Sequence, residues 1–191
     1  MLSRAQARKE ATQIAQAKLA LNPVYLDTET TGLKADAQIV EICVLDTDGS
    51  VLVDSLVRPT TRISREAMQV HGLTDAMVQE APPWADLWPA VEPALTGRTI
   101  AIYNADFDRR IMQQSHLRSG LRWSLPSSGF FCIMLVYAQY HGEWNPAHRS
   151  YRWQPLDLAR LQCGLALPNS HRAKADALLA REILHHIAQH G

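Results

Sequence analysis

Val24-Tyr25-Leu26-Asp27-Thr28-Glu29-Thr30-Thr31-Gly32-Leu33 decides how the rest of the chain is read. Val24, Tyr25 and Leu26 follow Asn22-Pro23 and suit a strand buried on both faces. Such a strand is a costly place for acids, yet Asp27 and Glu29 stand at its end. Strand side chains repeat every second residue, so the two carboxylates leave one face about 7 Å apart along the backbone. They repel unless a cation lies between them, and a divalent metal would resolve the repulsion. Gly32 lets the chain turn, which puts the acids at a strand's carboxyl end, where open α/β sheets carry their sites.

The 191 residues suit one domain with a full core around a sheet. Residues 1–22 read as a basic helical extension, rich in Ala, Gln, Lys and Arg, and residues 23–191 as the main domain. Packing on the domain's edge is the expected role of that first helix, ahead of a basic handle for nucleic acid or a partner. The 19 Lys and Arg balance 19 Asp and Glu, so net charge gives no basic footprint. With four acids set aside as metal ligands, 19 − 15 leaves +4, a mild hint of an anionic partner. Cys43, Cys132 and Cys163 are odd in number, far apart and set among apolar residues, as in a reduced cytoplasmic protein. No apolar run is long enough to span a membrane, and the N-terminus lacks a signal peptide's apolar core.

Beyond the opening strand, Gln38 to Leu45 and Val51 to Val57 flank Asp48-Gly49 and read as a hairpin. Ser64 begins a short helix that His71-Gly72 breaks, and Thr74 is a candidate cap for the next. A helix from about Pro83 carries Trp84, Leu87, Trp88, Val91 and Leu95 on one side. Thr99 to Tyr103 is a strand, and Asn104 leads into a helix. There Asp108 shares the inner stripe with Ile111 and Met112, while Asp106 falls with Arg109 and Arg110. Phe130 to Tyr140 begins as strand and ends as helix. His141 to Trp153 reads as a loop whose Trp144, His148, Arg149, Tyr151, Arg152 and Trp153 either stack on unpaired bases or pin the loop to the body. Leu156 to Leu165 is a short helix, and Pro168-Asn169-Ser170 supplies the breaker and caps for a last helix to about Gln189.

That last helix sets Asp176 in line with Ala180, Ile183 and Ile187, a fourth acid on a core stripe. His171, five residues earlier, is turned by about 140° on a regular helix, so it reaches the same site only from the first turn or the loop before it. Four acids and one imidazole, each at an element's boundary, suit Mg²⁺ or Mn²⁺ better than zinc.

Asp27-Thr28-Glu29-Thr30-Thr31-Gly32, Tyr103-Asn104-Ala105-Asp106-Phe107-Asp108 and His171-Arg172-Ala173-Lys174-Ala175-Asp176 resemble the three exonuclease motifs of the DEDDh (DnaQ-like) 3′→5′ exonucleases, in order. His71-Gly72-Leu73-Thr74 also resembles that family, and Tyr103 departs from it where many members have His. The resemblance covers about residues 23 to 188. It implies an α/β, ribonuclease H-like fold, a five-stranded mixed sheet flanked by helices. It also implies hydrolysis of nucleic acid from a single-stranded 3′ end to nucleoside 5′-monophosphates with two Mg²⁺ or Mn²⁺ ions. In that scheme Asp27 bridges both ions, Glu29 and Asp176 complete one, Asp108 helps hold the second, and His171 takes the proton of the attacking water. Thr30, through its backbone, and Leu33 meet the terminal nucleotide. Single-stranded DNA is the favoured substrate, ahead of RNA trimming or oligoribonuclease-like activity. A polymerase-bound proofreading role ranks lower, because the chain ends soon after the third motif. A non-catalytic binding module is disfavoured because all four acids and His171 are present, and small-nucleotide hydrolysis would need a closed pocket.

Overall fold

The computed structural model describes residues 3–167 and 170–191. Its centre is a five-stranded sheet in the order β3-β2-β1-β4-β5. The strands are β1 (Val24–Thr30), β2 (Ile39–Leu45), β3 (Val51–Leu56), β4 (Ile100–Ile102) and β5 (Phe130–Cys132). β2 pairs antiparallel with β1 and β3, through a turn in which Gly49 N–H donates to Asp46 O. β4 runs parallel to β1 and to β5. This is the five-stranded mixed sheet flanked by helices expected of the ribonuclease H-like fold.

Period-two alternation along the central strands feeds two separate cores. Tyr25, Cys43, Leu45, Ala101 and Tyr103 pack under α6 (Ile133–His141) and α8 (Ala173–Gln189). Val24, Leu26, Ile42, Val44, Ile100 and Ile102 pack on the other face, under α4 (Trp84–Leu95) and α5 (Ala105–Arg118). A smaller cluster of Val40, Ile63, Leu73 and Val78 seats α2 (Arg65–His71) and α3 (Asp75–Val78). Ser64 caps α2 by accepting from Ala67 N–H, and Gly72 ends it in a left-handed conformation at φ 73°. Thr74 makes no side-chain cap for α3; its neighbour Asp75 is engaged instead with Ile63 N–H.

α1 (Arg4–Leu19) lies against α6 and α8. Ala7, Ala11 and Ala15, four residues apart, form one fully buried stripe that lets the helices approach closely. Two of its cations serve the fold: Arg4 and Arg8 donate to the carbonyls of His141 and His190, and the Arg8 guanidinium covers the Tyr140 ring. No helix among the described residues is long and apolar enough to cross a membrane.

Two further expectations from sequence give way here. The stretch from His141 to Trp153 is not a featureless loop but carries a small antiparallel hairpin, β6 (Trp144–Asn145) with β7 (Ser150–Tyr151). Trp144 meets Tyr151 edge to face across it at 5.2 Å, a cross-strand pair that a composition rich in Gly, Asn and Pro conceals. The hairpin leads into α7 (Leu156–Gln162). As for the caps of α8, Pro168 and Asn169 lie outside the described residues, and Ser170 is not the cap. The N-cap position belongs to Arg172, whose own side chain does not cap.

Candidate active site

The alternation that divides the cores also divides the site. Asp27 and Glu29 share the face of Tyr25 and point toward α8, while Thr28 shares the face of Leu26 and points toward α5. Carboxylate oxygens of Asp27, Glu29 and Asp176 lie within 4.8 Å of one another. Asp108 approaches from the other face. Its Oδ1 accepts from Thr28 N–H at 3.1 Å and from Thr28 Oγ1 at 2.7 Å. The structure thus brings three of the four sequence-derived acids into one cluster and fastens the fourth to the strand between Asp27 and Glu29. Helical phase separates Asp108, 4% exposed, from the solvated Asp106.

Strand geometry opens the space around them. β1 pairs with β4 only through Val24 and Tyr25, after which the chain leaves β4 at Ile102 and turns into α5. The carboxyl half of β1 therefore borders a crevice between β1 and α5. A cleft of about 620 Å³ runs from Thr28 and Glu29 past Leu33 and Phe107 to Val70 and His71. Leu33, 76% exposed, stands at its mouth.

The strand's exit is fixed by backbone contacts. Leu73 N–H donates to His71 Nδ1, so the ring proton sits on Nε2 and is donated to Thr30 O at 3.1 Å. Burial holds the His71 pKa below its ordinary value, which keeps this tautomer neutral. Thr31 O accepts from Ser64 N–H, and Thr31 Oγ1 accepts from Gln38 N–H. Gly32 follows at φ 155°, where an added Cβ would lie 3.4 Å from Ser64 Oγ.

Asp27, Glu29, Asp108 and Asp176 are each harder to ionise than usual. Burial, then the charges of Asp108, Glu29, Asp176 and Glu41, raises Asp27 well above the carboxylate range. Burial and the charges of Asp176, Glu41 and Asp108 push Glu29 up to about 8, with Arg172 opposing. Burial takes Asp108 to about 7 against its hydrogen bonds from Thr28, and Asp176 to about 6 against the nearby His171. Asp176 Oδ1 is buried without a hydrogen-bond partner. Crowded carboxylates, one with an orphaned oxygen, fit a hard divalent cation, which would supply the missing positive charge and the missing ligand contact.

His171 is exposed and precedes the helix at φ 48°, a left-handed conformation uncommon for residues other than glycine. Its charge is felt at Asp176. Sequence reasoning passed over Glu41. It sits on β2 opposite Glu29 and is 4% exposed; Arg172 Nε lies 3.0 Å from each of its oxygens, and Ala173 N–H donates to Oε2 at 2.9 Å. The available signal was an acid on the core-facing side of the Ile39-Val40-Glu41-Ile42-Cys43 alternation. Tyr103, buried at the end of β4, donates through Oη to Gln154 O at 2.9 Å and so ties the hairpin's exit to the start of α5.

Comparison with known proteins bears on the family and the fold. The profile of the RNase_T exonuclease family matches residues 24–184. An uncharacterized exonuclease, CP81, of Escherichia phage 186 is 38% identical over 177 residues, which are 88% of this chain and 89% of that protein. Among solved structures, Exonuclease X in complex with 5′ overhanging duplex DNA superposes with a TM-score of 0.62 at 28% identity, over 86% of this chain and 89% of that one. The nuclease domain of 3′hExo, a DEDDh family member bound to rAMP, shares the fold, with a TM-score of 0.66 at 15% identity over 84% and 88% of the two chains.

Proposed function

The chain belongs to the RNase_T family of exonucleases, hydrolases that depend on divalent metal, and from that premise we propose that it removes nucleotides from the 3′ end of single-stranded DNA. The carrying observation is the cluster of Asp27, Glu29 and Asp176 with its orphaned Asp176 oxygen, on which the charge of His171 acts.

In this reading Asp27, Glu29 and Asp176 would hold one Mg²⁺ or Mn²⁺ ion, and Asp27 with Asp108 would help hold a second. Two such ions supply charge stabilisation to the attacking and leaving oxygens of an in-line displacement at phosphorus. His171 takes the proton of the attacking water, whose oxygen bonds to phosphorus as the bond to O3′ breaks. The leaving O3′ takes a proton from solvent, so the products are a nucleoside 5′-monophosphate and a shortened strand with a 3′-hydroxyl. The Thr30 backbone, set by His71, and the exposed Leu33 border the cleft in which the terminal nucleotide is placed. DNA is favoured over RNA because Exonuclease X, the solved relative at 28% identity, was captured on DNA.

In this reading the hairpin beyond α6, whose exit Tyr103 ties to the start of α5, gives the nucleic acid a second contact. Trp144 is spent on Tyr151, and Arg152 pairs with Glu143 at 2.8 Å, whereas Trp153 is 61% exposed. Base stacking therefore falls to Trp153. Trp153→Ala is expected to weaken single-strand binding by roughly 1 to 3 kcal/mol, read by fluorescence anisotropy, and Trp144→Ala by less.

The testing experiment incubates 3′- and 5′-labelled single-stranded DNA, duplex DNA and RNA with Mg²⁺, Mn²⁺ or EDTA. Shortening from the 3′ end that requires metal and is fastest on single-stranded DNA is the expected result. Release from the 5′ end, or undiminished turnover in EDTA, would overturn the reading.

A further inference from the structure

The last helix begins in an unusual way for its length. Its first amides have no partners within the helix, and the N-cap residue Arg172 offers no side-chain oxygen to them. Ala173 N–H is instead satisfied by Glu41, a residue of the second strand. The same carboxylate receives the Arg172 guanidinium, whose Nη2 also donates to Oε1. Glu41 thus closes both valences on one spot: the amide that opens α8 and the side chain just before it.

That spot lies between two parts of the site. Glu41 is the antiparallel partner of Glu29, so its backbone is fixed to β1. Arg172 follows His171 directly, and Ala173 stands three residues ahead of Asp176 in the same first turn. His171 occupies a left-handed conformation that costs energy in a residue with a Cβ, and only a strong neighbouring contact holds such a residue in place. A buried carboxylate is itself expensive unless fully hydrogen-bonded, and an apolar residue at 41 would pack the α8 face without that cost.

We propose that Glu41 and Arg172 form a positioning latch, which sets the register of His171 and Asp176 against Asp27 and Glu29 without touching substrate. The inference rests on the hydrolytic reading above for its effect on turnover, but not for its effect on the helix.

The test compares wild type with Glu41→Gln, Arg172→Met and Arg172→Lys. In the metal-free protein, hydrogen exchange at Ala173 and the following amides should quicken about tenfold in Glu41→Gln relative to core amides of β2, as loss of a cap predicts. In the assay, kcat for Glu41→Gln and Arg172→Met should fall about 100-fold with KM nearly unchanged, the scale of a small misplacement of reacting groups. Arg172→Lys, which keeps the charge but not the fork, should recover only part of the loss. Arg172 is half-exposed, so its variants judge the latch even if Glu41→Gln fails to fold. Unchanged exchange at Ala173 together with kcat within about twofold of wild type would overturn the latch. A wild type inactive on every nucleic acid with either metal would sink the hydrolytic reading instead, while the exchange result would still decide the latch.

Discussion

The carboxylates on the α8 face of the sheet and the imidazole of His116 on the α5 face are both withdrawn from water, and they respond to pH in opposite directions. His116 is enclosed by Trp84, Trp88 and Trp123, with ring centroids 5.6, 4.3 and 4.9 Å away. Its Nδ1 lies 3.1 Å from the Trp84 indole nitrogen, a donor, and 2.9 Å from Met112 O, an acceptor; it serves one of them at a time, and accepting from Trp84 requires a neutral ring. Nε2 is buried without a partner, and burial holds the His116 pKa below its ordinary value. The difference is one of remedy. Loss of a proton resolves the histidine's burial, whereas the clustered acids can be relieved either by protons or by a cation from outside. A pocket that stays uncomfortable at neutral pH until something binds is what a metal-dependent enzyme needs.

The comparison breaks most visibly at Asp27. Asp27→Asn should lower exonuclease turnover by about 10³-fold or more, on the scale of removing a preorganised charge-stabilising group, and should raise the melting temperature of the metal-free protein. Unaltered turnover, or a lower melting temperature without metal, would show that the acids are not strained against one another.

Metal titration gives the next effect. At a concentration about 100 times its dissociation constant, Mn²⁺ should add about 2.7 kcal/mol of stability, read by thermal unfolding. At one fixed Mn²⁺ concentration the gain should be larger at pH 8 than at pH 6, because Glu29 and Asp108, held up to about 8 and about 7, release their protons over that range. The sign follows from linkage. Between the unfolded carboxylate pKa and the raised folded value, the native state binds more protons, so metal-free stability falls as pH rises through that window. A gain that does not grow with pH would count against the cluster as the binding site.

His116→Phe should give the smallest effect and the opposite slope. A histidine with a depressed folded pKa binds more protons when unfolded, so stability is lost as pH falls below the ordinary imidazole pKa near 6.5. Removing it should flatten that acid limb, read by thermal unfolding between pH 5 and 7, while leaving turnover alone. An unchanged acid limb would assign the slope to His71 or another buried histidine, and a loss of turnover would link the aromatic cage to catalysis.

Much of the site was legible in sequence because its residues are anomalies. Asp27, Glu29 and Asp176 interrupt apolar patterns, and helical phase separates Asp108 from Asp106 within one turn. What escaped was relational. Glu41 and Arg172 are 131 positions apart, and no local pattern says that a strand residue caps a distant helix. The same holds for Thr28, whose hydroxyl meets Asp108 only because β1 and α5 converge. Trp144 and Tyr151 were visible as aromatics, but two-residue strands give period-two alternation too little length to show.

The division of the acids between the two faces of β1 has a temporal consequence. Asp27 and Glu29 are made early in the chain, Asp108 belongs to the helix of one core, and Asp176 to the helix of the other. No part that folds by local contacts alone contains a complete set, and the contacts that join them are among the most distant in sequence, which form late. With these acids as the ligands proposed above, nuclease activity would be withheld from a half-folded chain and switched on when α8 docks. The first hydrolysed bond would report that both sides of the sheet are in place.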